Sequence, residues 1–117
     1  RPLYLPCDIS VTDQLQLTLS TAARVNGPVT VLVNNAANDK RHDTLTTDEA
    51  LWDWSMAVNL RSYFFAAQAV IPGMQAAGGG SIINFSSISF MMADTGYVTY
   101  ITAHELGALT VTPPWLA

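Results

Sequence analysis

The stretch that most constrains the fold of this chain covers residues 81–104 and reads SIINFSSISFMMADTGYVTYITAH. It opens on a nearly continuous apolar run, IINF, which predicts a parallel strand covered on both faces. The strand ends at Ser86 and Ser87, and a loop and then a segment of helical character follow. Tyr100 and His104 are four residues apart, so a helix carries both on one face. Because open α/β sheets bind ligands at the carboxyl ends of their strands, we expect a ligand crevice here.

Two further apolar runs, at residues 3–5 and 29–33, predict a short buried strand and a second, β-branched strand. The helix between them begins at a capping residue, Ser10 or Thr12, and stops near Val25, just before the sequence NGP. Strands that alternate with helices are typical of a parallel sheet. The sequence therefore predicts an α/β fold with three strands and flanking helices.

Two helical runs are expected between the second and third strands. Thr46 and Glu49 have capping-box spacing, and the first run continues toward Val58. Asn59 interrupts the apolar pattern, and asparagine is a middling helix former, so a plain surface position is one interpretation of this residue. The second run covers residues 60–77 and ends at the glycines of residues 78–80. These glycines precede a strand, whereas a phosphate loop follows a strand and opens a helix.

An apolar stripe runs along the second helix and contains Phe64, Phe65, Gln68 and Ile71. A stripe of this kind is typical of core packing or of a subunit contact. It does not indicate a cofactor site.

Composition narrows the class of protein. The chain has 117 residues, enough for one domain, with 50% hydrophobic and 12% charged residues. A net charge of −4 without a basic patch argues against nucleic acid. The single Cys7 indicates a reducing compartment, the cytoplasm. We expect no signal peptide, because the chain leads straight into a strand-like segment, and no membrane span, because the apolar run over residues 63–77 is interrupted and too short. We expect no metal site, because His42 and His104 are the only histidines and no ligand cluster surrounds them.

A serine, a tyrosine and a basic group in one crevice indicate proton transfer at an alcohol or a carbonyl. A phenol with a pKa near ~10 is a poor base at neutral pH, and a nearby cation lowers that pKa. A serine hydroxyl can hydrogen-bond the reacting oxygen. The other interpretation is a buried strand with a polar end and a tyrosine that only packs, and spacing alone leaves both open.

Motifs elsewhere in the chain resemble the short-chain dehydrogenase/reductase family. They are NNAA at residues 34–37 and Asn59 in VNL, followed in order by Ser87 and Tyr100. The resemblance covers almost the whole chain, and NNAANDKRH and GGGSIINFSSIS are most similar to members that oxidise sugars. It implies a partial Rossmann-like, doubly wound parallel sheet. It also implies hydride transfer between a sugar or other alcohol and NAD or NADP.

The resemblance assigns roles to four residues at the reacting end. Tyr100 would be the general base, and Ser87 would orient the reacting hydroxyl. Asn59 would mark a helix irregularity and hold a water in the proton relay. His104 would stand, imperfectly, where the family has lysine.

The cofactor contacts also follow from the resemblance. Asp8 and Ile9 match the family's adenine contact, although an aspartate at the end of a strand also begins turns. The small residues of NNAA let the backbone approach the adenosine half, one asparagine ties neighbouring strands together, and Ala37 replaces the usual glycine. The residues placed at the cofactor are Asp8, Ile9, Asn35, Ala36, Ala37, Tyr100 and His104.

The charged loop over residues 38–43, NDKRHD, leaves the carboxyl end of a strand. It is either a solvated loop or part of the substrate entrance, where His42 could contact a sugar hydroxyl.

Two departures from the family pattern indicate an incomplete dinucleotide-binding domain over residues 1–117. No glycine-rich turn precedes residue 3, and the pair Pro113-Pro114 cannot continue the helix that carries Tyr100. A complete member is expected to be a homo-oligomer that associates through the helix over residues 60–77. The alternative is a catalytically inactive fragment that acts as an interaction surface.

Overall fold

Two short parallel strands lie at the centre of the chain, β1 (Val31–Asn34) and β2 (Ser81–Asn84). The computed structural model describes residues 2–92 and 96–108. The strands pair in register, from Val31 opposite Ser81 to Asn34 opposite Asn84. The predicted parallel pairing of these two strands, joined by a helical crossover, is therefore confirmed.

Helices account for most of the remaining described residues. They are α1 (Thr12–Asn26), α2 (Glu49–Met56), a π-helical turn (Ala57–Arg61), α3 (Ser62–Ala76), a 3₁₀ turn (Ile88–Phe90) and α4 (Val98–Ala108). None of the helices described is long and apolar enough to cross a membrane. The pair Pro113-Pro114 lies outside the described residues.

The predicted third strand, at residues 3–5, is wrong. The sheet in the described part of the chain has two strands, and Leu3 and Tyr4 are 43% and 85% exposed. A strand needs a neighbour that pairs with its backbone groups, and residues 3–5 pair with neither β1 nor β2.

The core lies on one face of the sheet only. A cluster of buried side chains from α1, β1 and α3 fills that face: Leu15, Leu32, Ala66, Ala67, Val70 and Met74. On the opposite face, Val31, Val33 and Ile83 are 57%, 51% and 47% exposed. The expectation that the last strand is covered on both faces is therefore wrong, because no described helix packs on that side of Ile83.

The helix starts differ from the predicted ones. α1 begins after Val11, without a side-chain cap. Asp48 caps α2, its carboxylate accepting a hydrogen bond from the Leu51 amide at 2.8 Å. The predicted caps Ser10, Thr12 and Thr46 are therefore wrong. In contrast, α1 stops where predicted, with Gly27 at φ 88° immediately after its last residue.

The apolar stripe on α3 is divided between two environments. Phe65 and Ile71 pack against the core cluster, whereas Phe64 is 50% exposed. Phe64, Ile71 and Pro72 line a shallow apolar groove of about 320 Å³. The face of α3 that turns away from the core is therefore largely apolar.

Candidate active site

Ser87 lies three residues beyond the end of β2 and begins the 3₁₀ turn. Its Oγ accepts from the Ser89 amide at 3.3 Å and donates to Ser89 Oγ at 3.0 Å. Ser89 Oγ lies 3.3 Å from the hydroxyl of Tyr97. The Ser87 hydroxyl therefore belongs to a hydrogen-bonded chain that reaches from the strand end to the segment before α4.

Tyr100 lies between two other rings. Its ring centroid is 4.2 Å from that of His104, one turn further along α4, and 5.8 Å from that of Tyr97. The Arg41 guanidinium lies over the Tyr97 ring, 4.0 Å from its centroid, at cation–π distance. The prediction that Tyr100 and His104 share a helix face is confirmed. Tyr97 connects this face to the Ser87 chain.

Asn59 is completely buried in the π-helical turn between α2 and α3. Its Oδ1 accepts from the Asn38 amide at 2.8 Å, and its Nδ2 donates to the Asn38 carbonyl at 3.0 Å and to Ser55 Oγ at 3.2 Å. Ser55 Oγ also accepts from Thr99 Oγ1 at 2.8 Å. The surface interpretation of Asn59 is therefore wrong. The residue ties the loop after β1 to α2 and, through Ser55, to α4.

His104 is a buried residue whose ring stays uncharged at neutral pH. Its Nδ1 lies 3.2 Å from the Phe85 carbonyl, and because a carbonyl oxygen only accepts, Nδ1 carries the proton. Burial lowers the pKa of His104, and the bond to Phe85 opposes this shift only in part. A neutral imidazole stabilises a phenolate less than a lysine cation would.

The charged loop is held against the start of α4. The His42 amide donates to the Gly96 carbonyl at 2.7 Å. The ring of His42 uses both nitrogens, Nδ1 toward the Lys40 carbonyl at 3.0 Å and Nε2 toward the Thr99 amide at 3.3 Å. A contact between His42 and a sugar hydroxyl would therefore replace one of these bonds.

The residues predicted at the adenosine half divide into two groups. Ile9, Asn35 and Ala36 line one groove of about 170 Å³ beside β1. Asp8 forms a turn instead, accepting from the Ser10 amide at 2.9 Å and the Ser10 hydroxyl at 2.6 Å. These two bonds, the hydroxyl first, lower the pKa of Asp8. Ala37 does not line the groove.

An asparagine ties the two strands together, as expected. Asn34 Nδ2 donates to Asn84 Oδ1 at 2.8 Å, across the paired ends of β1 and β2. A second, longer contact from the same amide reaches the Tyr63 carbonyl at 3.5 Å. The carboxyl end of the sheet is therefore closed by a side-chain bridge.

Comparison with known protein families agrees with the motifs in the sequence. A family model described as short chain dehydrogenase matches residues 1–105. The chain belongs to the short-chain dehydrogenase family. Within the described residues of this family member, no glycine-rich turn leads from a strand into a helix.

The named relatives are sugar dehydrogenases. A protein named as a galactose dehydrogenase from Rhizobium meliloti is 43% identical over 102 residues, which are 87% of this chain and 40% of the relative. A D-xylose 1-dehydrogenase from Caulobacter vibrioides is 42% identical over the same shares of the two chains. The chain thus spans about 40% of the length of these relatives.

A solved structure gives the same assignment. A protein described as a short-chain alcohol dehydrogenase from Sinorhizobium meliloti 1021 superposes with a TM-score of 0.81 at 32% identity. The match covers 86% of this chain and 40% of that one. The Rossmann-type α/β class predicted from the sequence is confirmed.

Several residues of this short-chain dehydrogenase site were not predicted. Ser89 and Tyr97 complete the chain from Ser87, and Ser55 and Thr99 complete the one from Asn59. Tyr97 precedes Tyr100 by three residues, a spacing that places two side chains on neighbouring positions of a helix. That spacing was the available signal for Tyr97. The bond between Ser55 and Thr99 joins residues 44 apart and left no local signal.

Proposed function

We propose that this chain carries the alcohol-side part of the site of a short-chain dehydrogenase that uses NAD or NADP and oxidises a sugar or another polyol. The observation that carries the proposal is the half-buried Tyr100 phenol, which packs edge-on against Tyr97 and at a tilt against the His104 ring. Tyr97 is in turn linked through Ser89 to the Ser87 hydroxyl. A positioned phenol beside a serine hydroxyl is an arrangement that can bind and deprotonate an alcohol.

Each residue then has a role of its own. Ser87 hydrogen-bonds the reacting hydroxyl, and Tyr100 takes its proton. Asn59, through its bonds to Asn38, keeps the loop after β1 in place beside the site. The nicotinamide ring, when bound, supplies the acceptor for the hydride that leaves the carbinol carbon. The alcohol thus loses one proton and one hydride and becomes a carbonyl.

A sugar or polyol is the substrate class that the relatives support. Their printed names specify galactose and D-xylose, at 43% and 42% identity. We expect the complete enzyme to work in the cytoplasm, since a chain with the single Cys7 forms no internal disulfide. We also propose that it is a homo-oligomer, with the apolar face of α3 around Phe64 as the contact between copies.

A chimaera tests the proposed function. This chain would replace the matching 102 residues of the galactose dehydrogenase relative, and NADH or NADPH absorbance would be followed with a panel of aldoses and simple alcohols. We expect weak turnover of aldoses that is lost in the Tyr100→Phe variant and retained in the Tyr4→Phe control, because Tyr4 is 85% exposed. Full turnover by a folded Tyr100→Phe chimaera would contradict the assignment of the base.

A second candidate function rests on the apolar groove of α3. Its exposed Phe64 and the adjoining Ile71 and Pro72 suit a role as an interaction surface without catalysis. Calorimetric titration of the chimaera with NAD and with NADP separates the two candidates. Heat of binding supports the dehydrogenase, and its absence from a folded chimaera supports the interaction surface.

A further inference from the structure

Two buried polar atoms in the described part of the chain have no hydrogen-bond partner, the Tyr63 hydroxyl and His104 Nε2. Tyr63 is 3% exposed and His104 is 2% exposed. Since Nδ1 of His104 donates to the Phe85 carbonyl, Nε2 presents a bare lone pair. The Tyr63 hydroxyl presents a proton. The two atoms are therefore complementary in chemistry, one a donor and the other an acceptor.

The two side chains are also neighbours. Their ring centroids lie 6.2 Å apart in an edge-on arrangement, with planes at 84°. The ring of Tyr100 lies 4.2 Å from His104 on another side. Burial, and secondarily the nearby phenol of Tyr100, raises the pKa of Tyr63, which keeps this hydroxyl in its protonated, donating form. Tyr63, His104 and Tyr100 thus form one cluster of titratable rings, of which the first two are buried.

An unsatisfied donor and an unsatisfied acceptor are each costly when buried, at about 1–3 kcal/mol per group. A small rotation of the phenol, or a single water between the two atoms, removes both costs together. No described side chain outside this pair satisfies either atom.

We propose that Tyr63 donates a hydrogen bond to His104 Nε2, directly or through one bound water, and so acts as a positioning residue for the imidazole beneath Tyr100. The bond saturates the imidazole, with Phe85 at one nitrogen and Tyr63 at the other. A ring held at both nitrogens keeps one tautomer and one orientation. The role beside Tyr100 rests on the proposed function, whereas the bond itself does not.

The test compares the unmodified chain with the Tyr63→Phe variant, which removes only the hydroxyl. We expect the ¹⁵N resonance of His104 Nε2 to move toward the value of a nitrogen without a hydrogen bond, while Nδ1 stays protonated. We also expect the folding equilibrium constant to fall roughly fivefold, the loss of one buried hydrogen bond. Tyr4→Phe, at an exposed position, is the matched control and should change neither quantity.

In a His104→Leu background, the Tyr63→Phe substitution should have the opposite effect on stability. With His104→Leu, the acceptor is gone, so Tyr63→Phe should raise the folding equilibrium constant by removing an unsatisfied donor. An unchanged Nε2 resonance in the single variant would overturn the proposal, as would a gain in stability there. Neither readout uses cofactor or turnover. Failure of the dehydrogenase assay with an intact Tyr63–His104 bond would therefore count against the proposed function alone.

Discussion

His104 occupies the position where the resemblance places lysine, and burial changes what this residue can contribute. A lysine would bring a permanent cation next to Tyr100. The imidazole instead stays neutral, with its Nδ1–H donating a hydrogen bond to the Phe85 carbonyl. What it offers Tyr100 is a tilted ring contact, with the centroids 4.2 Å apart, rather than a charge.

The lowered pKa of His104 predicts how stability depends on pH. The folded chain resists protonating this ring, so the unfolded chain binds more protons as pH falls below about 6.5, the ordinary value for histidine. Its contribution to stability is therefore complete above that pH and declines below it. We expect the free energy of unfolding, measured in urea between about pH 7 and pH 5, to fall less steeply in His104→Gln. Equal slopes for the two proteins would contradict this prediction.

Asn59 makes a second prediction at the residue scale. Asn59→Ala removes a completely buried side chain and leaves the Asn38 amide and carbonyl without their side-chain partner. We expect a loss of about 2–4 kcal/mol in the free energy of unfolding. The matched control is Ser62→Ala, one turn along, which removes a single bond to the Val58 carbonyl and should cost about 1 kcal/mol. A loss no larger than that of the control would show that the Asn38 contacts contribute little.

At the scale of elements, the turn between α3 and β2 is tightly packed around Gly80. A Cβ added at Gly80 would lie 2.5 Å from Met74 Cγ and 2.6 Å from its Sδ. Met74 is 1% exposed and belongs to the core cluster. The approach of β2 to α3 therefore requires glycine at this position.

Gly80→Ala should consequently destabilise the chain by about 1–3 kcal/mol, the usual cost of overpacking. Gly73→Ala is the control, because a Cβ there meets only Pro28 Cβ at 3.8 Å. That change should stabilise α3 by about 0.5–1 kcal/mol. In a Met74→Ala background the effect of Gly80→Ala should largely vanish. Thermal unfolding of the four variants measures all of these effects.

Local signals explain which elements could be predicted from the sequence. The stop of α1 at Gly27 and the glycine turn before β2 depend on adjacent residues, and both were found. The helix caps could not be predicted in this way, because several hydroxyl and carboxyl residues lie within a few positions of each helix start. The cap of α2 is Asp48 rather than Thr46. The strand at residues 3–5 failed because pairing is a property of neighbours in space. Tyr97 was missed although its spacing from Tyr100 was a local signal, because its contact with Ser89 became visible only in the structure.

At the scale of the whole molecule, the described residues include candidates for the reacting end of the proposed site but none for its phosphate end. The residues proposed for the reacting end, Tyr100, Ser87 and Asn59, lie within the described part of the chain, whereas that part holds no glycine-rich turn from strand to helix. Family motifs predicted these positions from the sequence. The long-range bonds that connect them became visible only in the structure.

The 117-residue chain by itself should therefore show no turnover of aldoses with NAD or NADP. His104→Lys alone should not restore activity, because the pyrophosphate would still lack its anion site. In the chimaera with the galactose dehydrogenase relative, the same substitution should raise the rate, since a cation then stabilises the Tyr100 phenolate. Absorbance of the reduced cofactor is the measurement. Clear turnover by the isolated chain would contradict the prediction.

The bare face of the sheet has a consequence for the lifetime of this polypeptide in a cell. About half of the surface of three apolar strand residues is exposed to solvent: Val31, Val33 and Ile83. Exposed apolar strands are what chaperones retain and what quality-control proteases degrade. We expect the isolated polypeptide to turn over quickly and to accumulate when those proteases are absent. Its abundance would then depend on its rate of degradation more than on its rate of synthesis.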